Sequence, residues 1–290
     1  MINLPNSDPQ ILQNIQYYFQ QPINSMNDIN ALFFKNKYNF VNFLNKEESS
    51  QFLKYYNYLR QLVFQIDNLF PEKVIPILKT GQKNNKLELT RKQVALLFLL
   101  SFFKCIKLNQ DTNFNIFCVF YVLKITSYAK IEKTKCFINY LIQIGKWLSE
   151  NNKILDEKIT YIRDSIEPNQ YLDKELCEVK ICESGSLFDG KASYCIDFAN
   201  KYIGGGVLDE GNVQEEILFT IEPEAIVSLF FMEVMGNNDA IGIYNTIQYS
   251  NYNGYGEKFK FNGSAIPNDI TKIKKHKIIA IDAINLSNFL

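Results

Sequence analysis

Histidine is nearly missing: the 290 residues contain one, His276, inside the basic stretch "KIKKHK". That scarcity excludes Ser-His-Asp and Cys-His catalytic arrangements and His-rich metal sites, and the setting reads as a solvated loop. Excess charge is missing too, with 31 basic residues against 31 acidic. A chain that holds polyanions on a broad basic surface does not balance its charge in this way, so sequence-specific nucleic-acid binding is not expected. Any phosphate-rich ligand has to be met locally, by loops and backbone amides. No apolar run is long enough to span a bilayer: the longest, "VALLFLLSFF" (94–103), has polar flanks and reads as a buried helix, so no membrane partner is expected. The N-terminal "MINLPNSDPQ" lacks the basic and then apolar pattern of a signal peptide. The six cysteines (Cys105, Cys118, Cys136, Cys177, Cys182 and Cys195) form no C-x-x-C pair and have mostly apolar neighbours. They read as reduced, buried thiols of an intracellular protein.

What is present is apolar mass: 47% hydrophobic and 14% aromatic residues, enough for a substantial core in two domains or one large one. The first half reads as helices. In "EESSQFLKYYNYLRQLVFQIDNLF" the residues Phe52, Tyr55, Tyr56, Leu59, Leu62, Val63 and Ile66 share one face at helical spacing, and Pro71 ends the run. "LTRKQVALLFLLSFFKC" opens with Thr90 and Gln93 at capping-box spacing and is apolar nearly all round, as a central helix would be. "KIEKTKCFINYLIQIGKWLSENN" is a further amphipathic helix. After about residue 150 the texture changes to short β-branched and aromatic runs: "CEVKICES", "SYCIDFA", "DAIGIYN" and "KIIAIDAI". The segment "EPEAIVSLFFMEVM", with Pro223 suited to a first turn, reads as a helix among them. Strands alternating with helices predict an α/β layer with a largely parallel sheet.

In such a layer ligands gather where strands lead through loops into helices. "YCIDFANKYIGGGVLDEGNVQEEILFTI" has that form. Gly204, Gly205 and Gly206 remove Cβ atoms and permit positive φ, so a diphosphate can approach the backbone closely. Ordinary turns use glycine as well, and Glu215 and Glu216 have a plain reading as helix-start residues. Adjacent carboxylates point in different directions, however, and can meet different parts of one ligand. A general acid at this position needs burial or a neighbouring negative group to keep its proton. Asp197 and Asn200 in "IDFAN" end the strand before the loop. "QYSNYNGYGEKF" puts Tyr249, Tyr252 and Tyr255 on a glycine-containing loop, where they either stack on a planar base or pack the loop onto the domain.

Taken together, "DFAN" (197–200), "GGG" with "QEE" (204–206 and 214–216) and "QYSNYNGY" (248–255) resemble the poly(ADP-ribose) glycohydrolase family. "TRKQVALLFLLSFF" and "KCFINYL" add weaker likeness in the helical half. The resemblance implies an α+β molecule: a helical accessory domain over 1–150, then a macrodomain-like mixed sheet flanked by helices over 151–290. It implies hydrolysis of the ribose–ribose O-glycosidic bonds of poly(ADP-ribose), free or on ADP-ribosylated proteins, with ADP-ribose as product. On the matching positions, Glu216 would be the acid/base, Glu215 would orient the ribose hydroxyls, and Asp197, Asn200 and Gln214 would support ligand or loop. Tyr255 would stack on the adenine with Tyr252 near the phosphates, and Gly204–Gly206 would approach the diphosphate. No cofactor or metal is implied. The family continues beyond the strand resembling "IIAIDAINL" into further strands and a second phosphate loop, so the expectation for a sequence ending at Leu290 is an incomplete sheet. The alternative reading is a catalytically impaired or inactive ADP-ribose-binding paralogue.

Overall fold

A computed structural model describes residues 1–35, 40–106, 111–124, 127–166 and 194–283, with the single positions 175, 178 and 181. The strand expected in "CEVKICES", with Cys177 and Cys182, lies outside the described residues. The elements are, in chain order, β1 (Ile2–Asn3), α1 (Pro9–Gln20), α2 (Met26–Phe34), α3 (Lys46–Val63), the short α4 (Ile66–Leu69), β2 (Val74–Ile75), β3 (Asn85–Thr90), α5 (Arg91–Phe102) and α6 (Tyr128–Ser149). There follow β4 (Lys158–Ser165), β5 (Cys195–Ala199), α7 (Gln214–Ile221), β6 (Asp239–Thr246), β7 (Ser250–Asn253), β8 (Lys260–Ser264) and β9 (His276–Asp282).

The helices start where local chemistry allows it. At α5 the Thr90 hydroxyl accepts from Gln93 N–H (3.2 Å) while Gln93 Oε1 accepts from Thr90 N–H (2.8 Å), the reciprocal box expected from the spacing. From Val94 to Phe102 every residue of α5 is buried, so this helix runs through the core. α3 starts on a second box, Asn45 with Glu48, and buries the predicted face from Phe52 to Val63. Buried residues of both halves form one continuous cluster. Arg91 ties the halves by polar contacts: Nε meets Glu224 Oε1 at 2.6 Å and Nη2 donates to the Asn245 carbonyl at 2.6 Å. Tyr249 donates to the same Glu224 carboxylate at 2.6 Å and Tyr161 to the Glu224 carbonyl at 2.8 Å. Removing one partner of such a buried pair typically costs about 3–5 kcal/mol.

The main sheet has the order β3-β4-β6-β9-β5. Among the described residues only β5 and β9 of this sheet pair in parallel, whereas β3–β4, β4–β6 and β6–β9 are antiparallel. A mixed sheet flanked by helices is what the resemblance implied; the largely parallel sheet read from the strand runs is corrected. Apolar strand runs read alike in both directions, and connectivity decides: the β7–β8 hairpin between β6 and β9 returns the chain antiparallel. "EPEAIVSLFFMEVM" is also not a continuous helix. It forms a 3-10 turn over Ala225–Phe230, after which Leu78 N–H bonds to the Phe231 carbonyl (2.9 Å) and Glu233 N–H to the Leu78 carbonyl (3.2 Å). Those long-range partners replace the helical ones. Among the described residues, no helix is long and apolar enough to cross a membrane.

His276 is the other correction. It opens β9 instead of standing in a solvated loop, and its Nδ1 lies 2.5 Å from a carboxylate oxygen of the fully buried Glu222. That hydrogen bond outweighs burial and raises the imidazole pKa. A raised folded value gives stability that is fully present below the ordinary 6.5 and is lost as pH rises through the folded value. The unfolding free energy of the wild-type chain should therefore fall more steeply from pH 6 to pH 8 than that of His276→Gln. Equal pH slopes in the two proteins would remove the pair from the stability account.

Candidate active site

The parallel pair β5–β9 places "DFAN" at a shared carboxyl end, where Ala283 N–H closes onto the Ala199 carbonyl at 2.9 Å. The chain then turns through the glycines and enters α7 at Gln214. Gly204 (φ +86°) and Gly205 (φ +48°) are both left-handed, which L side chains tolerate poorly. A Cβ on Gly205 would stand 2.6 Å from Glu216 Oε1 and 2.7 Å from Glu215 Oε2. The glycine is therefore required by the two carboxylates as well as by the turn.

Both carboxylates are buried and point back into the loop. Glu215 accepts from Gly204 N–H (2.6 Å) and Asn200 N–H (2.9 Å). Glu216 accepts from Gly206 N–H (2.9 Å) through Oε1 and from Val213 N–H (3.0 Å) through Oε2. The second bond is half of a capping box; Val213 has no side-chain acceptor to supply the other half. Asp197 lies behind them, fully buried, and neither of its oxygens has a hydrogen-bond partner. Burial, then the Glu216 charge, pushes Asp197 up to about 8. Burial and the Asp197 charge likewise raise Glu215, against the pull of its two amides. Asp197 and Glu215 thus favour their protonated forms in this water-poor site, beside the Glu216 carboxyl.

The protonated preference has a consequence for stability. For Asp197 it is fully present below 3.8 and lost as pH rises through about 8. Asp197→Asn is uncharged throughout, so its melting temperature should fall less than that of wild type across that window and exceed it at pH 8 by about 5 °C. A wild-type melting curve that rises from pH 4 to pH 8 would contradict this reading.

The remaining expected residues fall around the loop. Gln214 Oε1 accepts from Phe198 N–H (2.9 Å) and its Nε2 donates to the Ile196 carbonyl (3.0 Å), so this side chain occupies the outer edge of β5. Asn200 Oδ1 accepts from Tyr202 N–H at 3.0 Å and shapes the entry to the glycines. The segment 248–259 supplies β7 and the turn that leads into β8, and that turn is joined to the glycine loop where Asn212 Nδ2 donates to the Gly256 carbonyl (2.5 Å). Tyr255 is exposed beside that turn; Tyr252 is half-buried with its ring stacked on Phe259, centroids 5.7 Å apart. Tyr249 is fully buried on Glu224 and belongs to the core. An open cavity of about 600 Å³, lined by Ser127, Asn212, Val213 and Gly256 among others, lies between the loop and the hairpin turn.

Three side chains unmarked by the sequence reading hold the loop. Asn115 Nδ2 donates to the carbonyls of Ile203 (3.0 Å) and Gly205 (2.9 Å). Lys130 meets Asp209 at 2.7 Å, and Lys133 is buried under residues 206–211. A signal for Lys133 exists: it stands in the α6 apolar stripe, four residues before Phe137 and seven before Tyr140, where charge has no place without a partner.

Comparison with known proteins gives one family. The helical-domain model of poly(ADP-ribose) glycohydrolase matches residues 44–163, and the macrodomain-fold model of poly(ADP-ribose) glycohydrolase matches residues 166–289. The chain is 35% identical over 162 residues to poly(ADP-ribose) glycohydrolase 1 of Arabidopsis thaliana, a match covering 54% of this chain and 29% of that protein. It is 32% identical over 217 residues to the probable poly(ADP-ribose) glycohydrolase 2 of the same plant, covering 67% of this chain and 41% of the relative. To poly(ADP-ribose) glycohydrolase 1 of Caenorhabditis elegans it is 28% identical over 198 residues, covering 67% and 24%. The chain spans less than half the length of each of these relatives.

Proposed function

The chain belongs to the poly(ADP-ribose) glycohydrolase family, and from that premise we propose that it hydrolyses the ribose–ribose O-glycosidic bonds of poly(ADP-ribose), free or protein-bound, and releases ADP-ribose. The observation that carries this reading is the pair Glu215–Glu216 seated on the amides of Asn200, Gly204, Gly206 and Val213, with Asp197 buried beside them. Binding of a diphosphate alone has no use for three carboxyl groups next to its own negative charge. Acid–base hydrolysis does.

In this mechanism Glu216 gives a proton to the leaving ribose 2′-oxygen as the C–O bond breaks, leaving an oxocarbenium-like centre. The substrate diphosphate stabilises that positive charge. Glu216, now a carboxylate, takes a proton from the incoming water, whose oxygen closes the new C–O bond. Two neighbouring glutamates of one helix start cannot flank the scissile bond as a spaced carboxylate pair does, so both transfers fall to one residue. Glu215, fixed by two amides, orients the ribose hydroxyls, and Asp197 holds its protonation state from behind. Gln214 and Asn200 act on the loop and the β5 edge, while Tyr252 and Tyr255 offer ring faces to the adenosine side of the cleft. The compartment is intracellular, wherever proteins carry this polymer.

The test is direct. The purified chain is incubated with poly(ADP-ribose), released ADP-ribose is measured, and ADP-ribose binding is measured alongside. Release supports the hydrolase; tight binding without release supports a non-catalytic reader of the same ligand, and neither result supports the other reading.

A further inference from the structure

Lys133 is a fully buried lysine with an unusual set of partners. Its Nζ donates to the carbonyl oxygens of Gly206 (3.3 Å), Val207 (3.0 Å), Asp209 (2.9 Å) and Gly211. Three ammonium protons are thus shared among four carbonyls drawn from six consecutive residues, the way a loop wraps a small cation. The charged groups around it are Glu216, Glu210 and Asp209, which favour the ammonium, and Lys130, which opposes it. Burial lowers its pKa to about 8, so the ammonium is still charged at neutral pH.

The consequence lies in the peptide planes. A peptide that turns its carbonyl towards α6 turns its amide the other way. From the helical half, Asn115 collects the carbonyls of Ile203 and Gly205, whose peptides carry the Gly204 and Gly206 N–H groups, and Lys133 collects the carbonyls of Gly206, Val207, Asp209 and Gly211 that follow. On the opposite side Gly204 and Gly206 deliver their N–H groups to Glu215 and Glu216. The two sets of bonds share the same short segment, so loosening one frees the other.

We propose that Lys133 is a positioning residue for the carboxylate pair: from the helical half, its ammonium pins the segment 206–211 by its carbonyls, and this anchors the stretch whose ends present Gly206 and Val213 N–H to Glu216. Only the turnover half of the test rests on the hydrolytic reading above. Lys133→Met keeps the apolar stem and removes the donors. Amide exchange within residues 204–213 of this variant should quicken at least about tenfold, with exchange in β4 and β6 unchanged. Turnover of poly(ADP-ribose) should fall about 100-fold while KM stays within about threefold, because the reacting groups are displaced and the ligand contacts are not. Should Lys133→Met fail to fold, Lys133→Gln, which retains two N–H donors at shorter reach, carries the same expectation at smaller amplitude. Unchanged exchange over 204–213, or exchange that quickens equally in β4 and β6, overturns the proposal, as does failure of both variants to fold. A wild-type chain that releases no ADP-ribose counts against the hydrolase, and the exchange measurement still decides the role of Lys133.

Discussion

Glu216→Gln should abolish release of ADP-ribose, with turnover lower by about a thousandfold or more, since a carboxamide neither gives nor takes the proton that both half-reactions need. The substitution is nearly isosteric, but the site is not indifferent to it. Both Glu216 oxygens accept backbone N–H groups, from Gly206 and Val213. One of them becomes an NH₂ facing an N–H, a conflict worth about 1–3 kcal/mol. A lower melting temperature is therefore expected with the loss of turnover, and ADP-ribose binding has to be measured on the same preparation. Binding within about threefold of wild type would place the loss in the chemical step. Retention of more than about a tenth of wild-type turnover would remove Glu216 from the acid/base role, because one general acid–base group typically contributes at least about a hundredfold.

Gly205→Ala carries the second large effect. The new Cβ would meet Glu216 Oε1 at 2.6 Å and Glu215 Oε2 at 2.7 Å, distances that real Cβ contacts do not show. Neither oxygen is free to move aside, since each carboxylate is held by two backbone amides. Something has to shift by several tenths of an ångström, and a misplacement of that order at reacting groups costs about a hundredfold in turnover. The left-handed backbone (φ +48°) adds about 1–2 kcal/mol of strain. Gly263→Ala is the control: that glycine is also left-handed (φ +83°), but no atom lies within 4 Å of its added Cβ. Both variants should lose a few degrees of melting temperature, and only Gly205→Ala should lose activity. Comparable turnover in the two would mean that the carboxylates of the glycine loop are not the reacting groups.

What was legible in the sequence is what depends on neighbours along the chain. The buried face of α3, the Thr90–Gln93 start of α5 and the positive-φ glycines ahead of "QEE" all follow from period, cap and backbone freedom. These are interactions within about four residues, so the order of residues alone determines them. Gln214, expected near ligand or loop, is bonded to the edge of β5, a detail that needs the strand and the helix start side by side. Strand direction escaped the sequence because an apolar strand looks the same either way; the β7–β8 return decided it. His276 escaped because its carboxylate partner, Glu222, is 54 positions away. The protonation of the site belongs to the tertiary structure as well. "DFAN" and "QEE" name three carboxyl groups, but only packing takes Asp197 out of water with no partner and sets Glu215 against its charge. The sequence thus determined which groups this protein has for its chemistry. The fold decided which of them are buried together, and desolvation and mutual repulsion, which no local pattern encodes, favour the protonated forms of Asp197 and Glu215.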